Sequence, residues 1–249
     1  MVIRDAPSPN HDERPPGGPI DTLVLHYTGM RTAEEALVRL RDPASRVSAH
    51  YVVEEDGLVW RLVPEGRRAW HAGASHWRGR ESLNGRSIGV EVVNPGHEWG
   101  YRPFPALQMA AVCDLCLEII ARHAIAARDV VAHSDVSPDR KQDPGELFDW
   151  EGLAANGVGL WPCAAATGCV AADTPGTEAG VTAFLAAIGY RTDLPLPVLL
   201  TAFQRRWRPE RVDGAADAGT FRRLAEVAAL HGGNGADSRG IDAGAPART

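Results

Sequence analysis

Five polar residues, His26, Glu91, His133, Lys141 and Asp143, have the types and surroundings that metal-assisted hydrolysis needs. His26 and His133 each end a predicted strand, and Asp143 follows in a loop that contains prolines and a glycine. Strand ends and the loops after them are where α/β proteins place functional side chains. Two imidazoles and a carboxylate suit a catalytic Zn²⁺ that keeps one position for water. Glu91 would take a proton from that water, and Lys141 would stabilise an oxyanion.

The pattern alone leaves a structural alternative open. The chain has nine histidines, so many sets of three can be chosen. A single histidine at a strand end is commonly a hydrogen-bonded structural residue. By themselves, Glu91 is typical of a solvated strand residue and Lys141 of a surface loop. The zinc hypothesis therefore requires a fold that brings the three ligands together.

Strands and helices alternate in the part of the chain that must position these residues. Strands are predicted over 20–28, 50–55, 58–62, 87–93 and 129–132. The Asp56-Gly57 pair is typical of a hairpin turn between the second and third of them. Alternation over 87–93 places apolar side chains on one face and Glu91 on the other. Helices are predicted from Thr32 and over 105–124, which indicates an α/β fold with a mixed central β-sheet flanked by helices.

Composition divides the chain into five segments. They are a polar, proline-rich and flexible N-terminal segment (1–18), an α/β domain that carries the five candidate residues (19–162), a linker (163–177), a small three-helix domain (178–231) and a disordered tail (232–249). The linker contains Cys163 and Cys169, which would pair only in an oxidising compartment, and the sequence leaves their state open.

Charge and hydropathy limit the classes of partner and the cellular compartment that the sequence favours. The net charge is −6 and the isoelectric point about 5.8, so nothing indicates the basic face that nucleic-acid binding uses. No run of 18 apolar residues is present, so no transmembrane helix is expected. The N-terminal segment lacks the apolar core of a signal peptide, which favours the cytoplasm unless export takes another route or the sequence is trimmed.

Five stretches, in order, resemble the zinc-dependent N-acetylmuramoyl-L-alanine amidase family, which includes phage lysozyme-like amidases and peptidoglycan recognition proteins. They are LVLHYTG, RVSAHYVVEEDG, RRAWHAG, NGRSIGVEVVN and VVAHSDVSPDRKQDPG. The resemblance covers about 20 to 160, and its strength lies in the five ordered blocks together. It implies an enzyme that hydrolyses the amide bond between the lactyl group of N-acetylmuramic acid and L-alanine in peptidoglycan or muropeptides.

The resemblance also assigns roles to the five residues. It implies that His26, His133 and Asp143 bind one Zn²⁺ per chain, that Glu91 is the catalytic carboxylate, and that Lys141 stabilises the transition state. Because none of the five is replaced, an active enzyme is favoured over the alternative, a non-catalytic peptidoglycan-binding or sensing protein. A zinc peptidase of another kind is disfavoured because H-E-x-x-H is absent.

Further residues in or beside these stretches are candidates for substrate contacts: His50, Trp70, His71, Arg86 and Asn94. Aromatic side chains commonly face sugars, and arginine holds carboxylates. A core position satisfied by backbone groups explains the two histidines about as well, and Trp70 is equally compatible with the core.

The stretch from Leu199 to Leu224 resembles the three-helix peptidoglycan-binding module of cell-wall hydrolases, but Ala216 and Asp217 change the spacing of its usual D-G-x-x-G-x-x-T run. The two-part layout is similar to that of an outer-membrane lipoprotein amidase, which favours polymeric peptidoglycan and the cell envelope. The missing signal peptide favours soluble anhydro-muropeptides in the cytoplasm. We expect a monomer that acts on both substrates.

Overall fold

The computed structural model describes residues 1–162 and 176–232. Its strands are β1 Ile3–Asp5, β2 His11–Glu13, β3 Thr22–Tyr27, β4 Tyr51–Val53, β5 Val59–Arg61, β6 Arg67–Ala69, β7 His76–Trp77, β8 Arg80–Glu81, β9 Ser87–Val92 and β10 Val130–Ala132. Its α-helices are α1 Ala33–Arg41, α2 Gly96–Trp99, α3 Ala106–His123, α4 His133–Val136, α5 Trp150–Ala155, α6 Glu178–Ile188, α7 Leu196–Trp207 and α8 Ala218–Gly232. Most of the predicted linker, the predicted tail, Cys163 and Cys169 lie outside the described residues.

The main sheet has the strand order β1-β5-β4-β9-β3-β10. Strands β4, β9, β3 and β10 run parallel to one another, whereas β5 is antiparallel to β4, across the predicted hairpin. Helix α1 begins after Thr32, whose hydroxyl accepts a hydrogen bond from the Glu35 amide. The mixed α/β architecture predicted from the sequence is confirmed.

Both faces of the central strands are covered, as a parallel sheet requires. Leu23 and Leu25 of β3 pack with residues such as Leu115 of α3 in one cluster. Val24 points to the opposite face and belongs to a second cluster with residues such as Phe203 of α7. The apolar run of β3 is therefore buried on both sides. Successive residues of the strand point to opposite faces of the sheet, so each residue's place in this alternation decides which helices it meets.

The three-helix segment packs on the sheet rather than apart from it. Helices α6 to α8 share one apolar cluster with β3, β7 and β10. Trp77 of β7 is buried against the rings of Tyr190 and His231. A segment of this size buries little apolar surface alone, so the shared core supplies burial that the helices lack. Between α7 and α8 the amides of Asp213 and Gly214 both donate to the buried Gln204 side chain. Peptidoglycan binding by this segment stays a prediction.

The N-terminal segment differs from the flexible chain expected for 1–18. Strand β1 pairs in parallel with β5, and β2 pairs antiparallel with β6. The Arg14 guanidinium donates to the carbonyls of Glu65 and Ser87 at 2.8 Å each. An edge strand is held by backbone hydrogen bonds and needs no apolar run of its own, so the low hydrophobicity of this segment was a poor guide to its order.

Candidate metal centre and active site

Strand register brings the predicted site together. In the β3–β9 pair His26 lies directly opposite Glu91. In the β10–β3 pair Ala132 lies opposite Leu25, so His133, the next residue, begins α4 at the level of His26. The site therefore occupies the carboxyl ends of three neighbouring parallel strands, the usual location of sites in open α/β sheets.

Three donor atoms converge at this edge: the Nδ1 atoms of His26 and His133 and Oδ2 of Asp143. The two nitrogens are 2.8 Å apart and lie 3.0 and 2.9 Å from the carboxylate oxygen. All three residues are buried. The group is one that could hold a metal ion. Electron pairs crowded this closely repel one another unless a proton or a cation lies between them, so the donor set fits a metal such as Zn²⁺.

A chain of hydrogen bonds fixes the protonation of His26. The Ser87 hydroxyl donates to the Leu83 carbonyl at 2.7 Å and therefore accepts from Nε2 of His71 at 3.1 Å. Nδ1 of His71 is then the acceptor for Nε2–H of His26 at 3.0 Å. His26 is left with its lone pair on Nδ1, the atom that faces the site. Such outer partners orient metal-binding imidazoles.

Neighbouring groups also fix the tautomer of His133 and the position of the His71 ring. Nε2 of His133 faces the carbonyl of Ala72 at 3.4 Å, so this nitrogen carries the hydrogen and Nδ1 keeps its lone pair. The His71 ring lies against β9 at Gly89, where an added Cβ would come within 2.4 Å of the ring. Glycine at this position lets the ring approach the strand closely enough to reach His26.

The site favours the protonation states of metal ligands. Burial and the neighbouring His133 lower the pKa of His26 to about 4. Burial raises the pKa of Asp143, but attraction to His133 and the hydrogen bonds with both imidazoles outweigh it and hold that pKa below its usual range. At neutral pH His26 is therefore uncharged and Asp143 is a carboxylate.

Glu91 has a buried carboxylate oxygen without a partner. Its Oε2 atom is buried and has no hydrogen-bond partner within the described part of the chain. Burial, followed by the charge of Asp143, raises the pKa of Glu91 well above its usual value, and Lys141 opposes this shift. A carboxyl group with a raised pKa next to a metal site suits proton transfer near neutral pH.

Lys141 belongs to the loop of residues 137–145, which we call the metal loop because it also carries Asp143. Its amide donates to the Ser137 carbonyl at 3.0 Å, and the Ser134 amide donates to the Asp143 carbonyl at 3.0 Å. The first bond closes a turn within the loop, and the second ties the loop to α4. The Lys141 side chain is exposed and lines the open groove above the site.

The groove has a volume of about 740 Å³, within the range of small-molecule sites. Among the predicted substrate contacts, Trp70 and His71 line it. The sequence did not single out Arg31 or Trp99, which also line it, with the guanidinium 4.1 Å from the centre of the indole ring. The available signal was an isolated tryptophan, Trp99, in a short polar stretch flanked by glycines; in the structure it ends α2 and is exposed.

Three predicted substrate contacts do not line the groove. His50 is fully buried and its Nδ1 accepts from the Gly89 amide at 2.9 Å. The Arg86 guanidinium is paired with Asp21 at the other end of β9. Asn94 bridges the backbone of the following loop. His50 thus occupies the core position, satisfied by a backbone group, that the sequence left open as the alternative. A position beside β9 does not specify where a side chain points, so contact of His50, Arg86 or Asn94 with substrate stays a prediction.

The sequence profile of the N-acetylmuramoyl-L-alanine amidase family matches residues 16–146, more than half of the chain. The chain is 39% identical over 222 residues to the N-acetylmuramoyl-L-alanine amidase AmiD of Escherichia coli K12, covering 81% of this chain and 79% of AmiD. The chain belongs to the N-acetylmuramoyl-L-alanine amidase family.

Two further comparisons extend this result. The chain is 33% identical over 166 residues to the 1,6-anhydro-N-acetylmuramyl-L-alanine amidase AmpD of Haemophilus influenzae, covering 59% of this chain and 88% of AmpD. The structure of E. coli AmiD with the substrate anhydro-N-acetylmuramic acid-L-Ala-D-gamma-Glu-L-Lys superposes with a TM-score of 0.78 at 36% identity, covering 88% of this chain and 93% of the other. Because 88% of this chain is covered, the likeness to AmiD reaches into the three-helix segment.

Among residues 1–162 and 176–232, we find no helix with the length and hydropathy needed to cross a bilayer.

Proposed function

We propose that this amidase uses one Zn²⁺ held by His26, His133 and Asp143, with Glu91 and Lys141 as its catalytic residues. The observation that carries the proposal is the convergence of three electron-pair donors beside a partnerless carboxyl group. Zinc in such a set supplies Lewis acidity that polarises the scissile carbonyl and makes water acidic near neutral pH.

The residues of the chain supply proton transfer and charge stabilisation. Glu91 accepts a proton from the attacking water and returns it to the leaving amine of L-alanine. The ammonium group of Lys141 offers positive charge to the oxyanion that forms from the lactyl carbonyl. Burial and the nearby charge of Asp143 raise the pKa of Glu91, which makes it a stronger base than an exposed carboxylate.

The groove supports both polymeric and soluble substrates. It is open, and its walls present the cations Arg31, Arg39 and Arg140 together with the aromatic Trp70 and Trp99. Arginine suits the carboxylates of a stem peptide, and aromatic rings suit sugar faces. The solved AmiD structure contains an anhydro-muropeptide. We therefore propose that the chain cleaves anhydro-muropeptides as well as peptidoglycan.

The test uses the full chain with sacculi and with anhydro-muropeptides, with and without a chelator, and identifies products by mass spectrometry. We expect free stem peptides that begin with L-alanine, lost on chelation and restored by Zn²⁺. Activity that survives complete metal removal would refute the zinc assignment. A zinc-loaded protein that cleaves neither substrate would instead favour the non-catalytic binding alternative.

A further inference from the structure

We propose that two consecutive arginines of α7, Arg205 and Arg206, hold the residues on either side of the metal loop, so that the three-helix segment helps to position the metal centre. Zinc affinity, one of the two quantities measured below, tests this proposal only if the proposed function is correct. The other, the mobility of the metal loop, does not depend on the proposed function.

Arg206 holds α4, the short helix that precedes the metal loop. Its guanidinium is buried and donates through Nη1 to Oδ2 of Asp135 at 2.6 Å and through Nη2 to the Val130 carbonyl at 3.1 Å. Asp135 is two residues past His133, and its Oδ2 also accepts from the Ala132 amide at 2.9 Å. Its other oxygen accepts from the hydroxyl of Tyr190. The first turn of α4 is thus tied to the three-helix segment on both oxygens of one carboxylate.

The position of the Arg206 guanidinium is fixed from both sides. Its central carbon lies 4.0 Å from the ring centre of Trp150, which begins α5, and 4.3 Å from that of Trp207. Arginine between two desolvated indole rings gains cation–π attraction and has little room to turn. The group therefore acts as a rigid link between β10, α4 and α7.

Arg205 reaches the opposite end of the loop. Its Nε donates to Oε2 of Glu146 at 3.3 Å, and Glu146 lies three residues past Asp143. The same carboxylate accepts from Nε2 of His97 at 3.1 Å, whose Nδ1 accepts from the hydroxyl of Tyr27 at 3.0 Å. Tyr27 follows His26 and lines the groove. This second contact therefore connects α7 to the groove wall as well as to the loop.

A purely stabilising role does not account for the buried pair of Arg206 and Asp135. Removing two charges from water is costly, and apolar residues of similar volume commonly serve stability as well or better. What a charged pair adds is a specific position, because its geometry and its hydrogen bonds allow few arrangements. Here the carboxylate lies in the same short helix as a metal ligand, so the position it specifies is that of His133.

The test replaces the arginine and measures the loop directly. We expect Arg206→Met to accelerate amide exchange across 133–146 in the metal-free protein and to lower zinc affinity about tenfold, as loss of outer-shell partners does elsewhere. The milder Tyr190→Phe removes one hydroxyl and keeps the ring, and we expect zinc affinity to fall about fivefold. If Arg206→Met fails to fold, the tyrosine variant decides.

Arg208→Met is the matched control, because Arg208 follows the same helix and bonds to Asp217 and Thr220 inside the three-helix segment. We expect it to change neither exchange across 133–146 nor zinc affinity. Equal effects from this control would overturn the proposal, since they would report only the stability of the segment. Unchanged exchange and affinity in Tyr190→Phe would overturn it as well.

A double variant distinguishes loss of the positioning contact from the cost of leaving the Asp135 carboxylate without its cation. Adding Asp135→Asn to Arg206→Met removes the unpaired carboxylate, so we expect thermal stability to recover while exchange stays fast and zinc affinity stays low. If thermal stability, amide exchange and zinc affinity all returned to their wild-type values, the proposal would be overturned. If the wild-type chain bound no zinc, the proposed function would fail, while exchange in the metal-free variants would still decide the role of Arg206.

Discussion

Replacing His71 with phenylalanine tests the hydrogen-bond chain behind the proposed metal centre. The ring would keep its place against Gly89, but Nε2–H of His26 would lose its acceptor at 3.0 Å. A buried donor without a partner costs about 1–3 kcal/mol. His26 can avoid this cost by moving its hydrogen to Nδ1, and that tautomer has no lone pair for a metal. The unpaired donor and the changed tautomer would each lower the affinity of the site for a metal.

The expected result is a loss of zinc affinity of about 10- to 100-fold, the usual effect of losing an outer-shell partner and equivalent to about 1.4–2.7 kcal/mol. Competition with a chromophoric chelator measures this affinity at a temperature well below unfolding. Amidase activity at saturating zinc should recover most of its wild-type value, because His71 is not assigned to proton transfer or to the oxyanion.

Ser87→Ala is the companion variant, since it removes the next member of the chain and leaves the His26–His71 contact in place. We expect a smaller loss than in His71→Phe, because His71 can still present a lone pair at Nδ1. Wild-type zinc affinity in a folded His71→Phe protein would refute the assignment of the His26 tautomer. A larger loss in Ser87→Ala than in His71→Phe would contradict the order of the chain.

Two further predictions concern proton transfer and acid stability. Glu91→Gln should bind zinc normally but lose about 10²- to 10⁴-fold in kcat, as measured by product formation at saturating metal; wild-type turnover would exclude Glu91 as the base. Burial raises the pKa of Glu65, but hydrogen bonds from Arg122 and neighbouring side chains lower it to about 2. The folded state thus binds this proton less readily than the unfolded chain, so the stabilisation is complete above about pH 4.5 and is lost as the pH falls towards 2. In urea unfolding, Glu65→Gln should cost about 2 kcal/mol at pH 7 and progressively less below pH 4.5, after allowance for partial exposure. The exposed pair of Glu55 and Arg102 gives the control, since Glu55→Gln should cost under about 1 kcal/mol at any pH.

Local rules of sequence predicted most of the catalytic strands and helices. Thr32 caps α1, the Asp56-Gly57 pair joins β4 to β5, and alternation separates Glu91 from the apolar face of β9. Each of these features depends on residues within a few positions of one another, so each can be recognised from a short stretch of sequence. The candidate ligands were recognisable because strand ends were identified and because five ordered stretches resemble one family.

Only the tertiary structure decided which side chains meet. The register of β3 with β9 and β10 set His26 opposite Glu91 and level with His133, and no local pattern fixes register between strands so far apart in the chain. The same holds for the contact of His71 with His26 and for the burial of His50 away from the groove. Arg205 and Arg206 gave no sequence signal, because a basic pair near a helix end is usually solvated. Their partners lie about 60 to 70 positions earlier and come within reach only after the helices pack on the sheet.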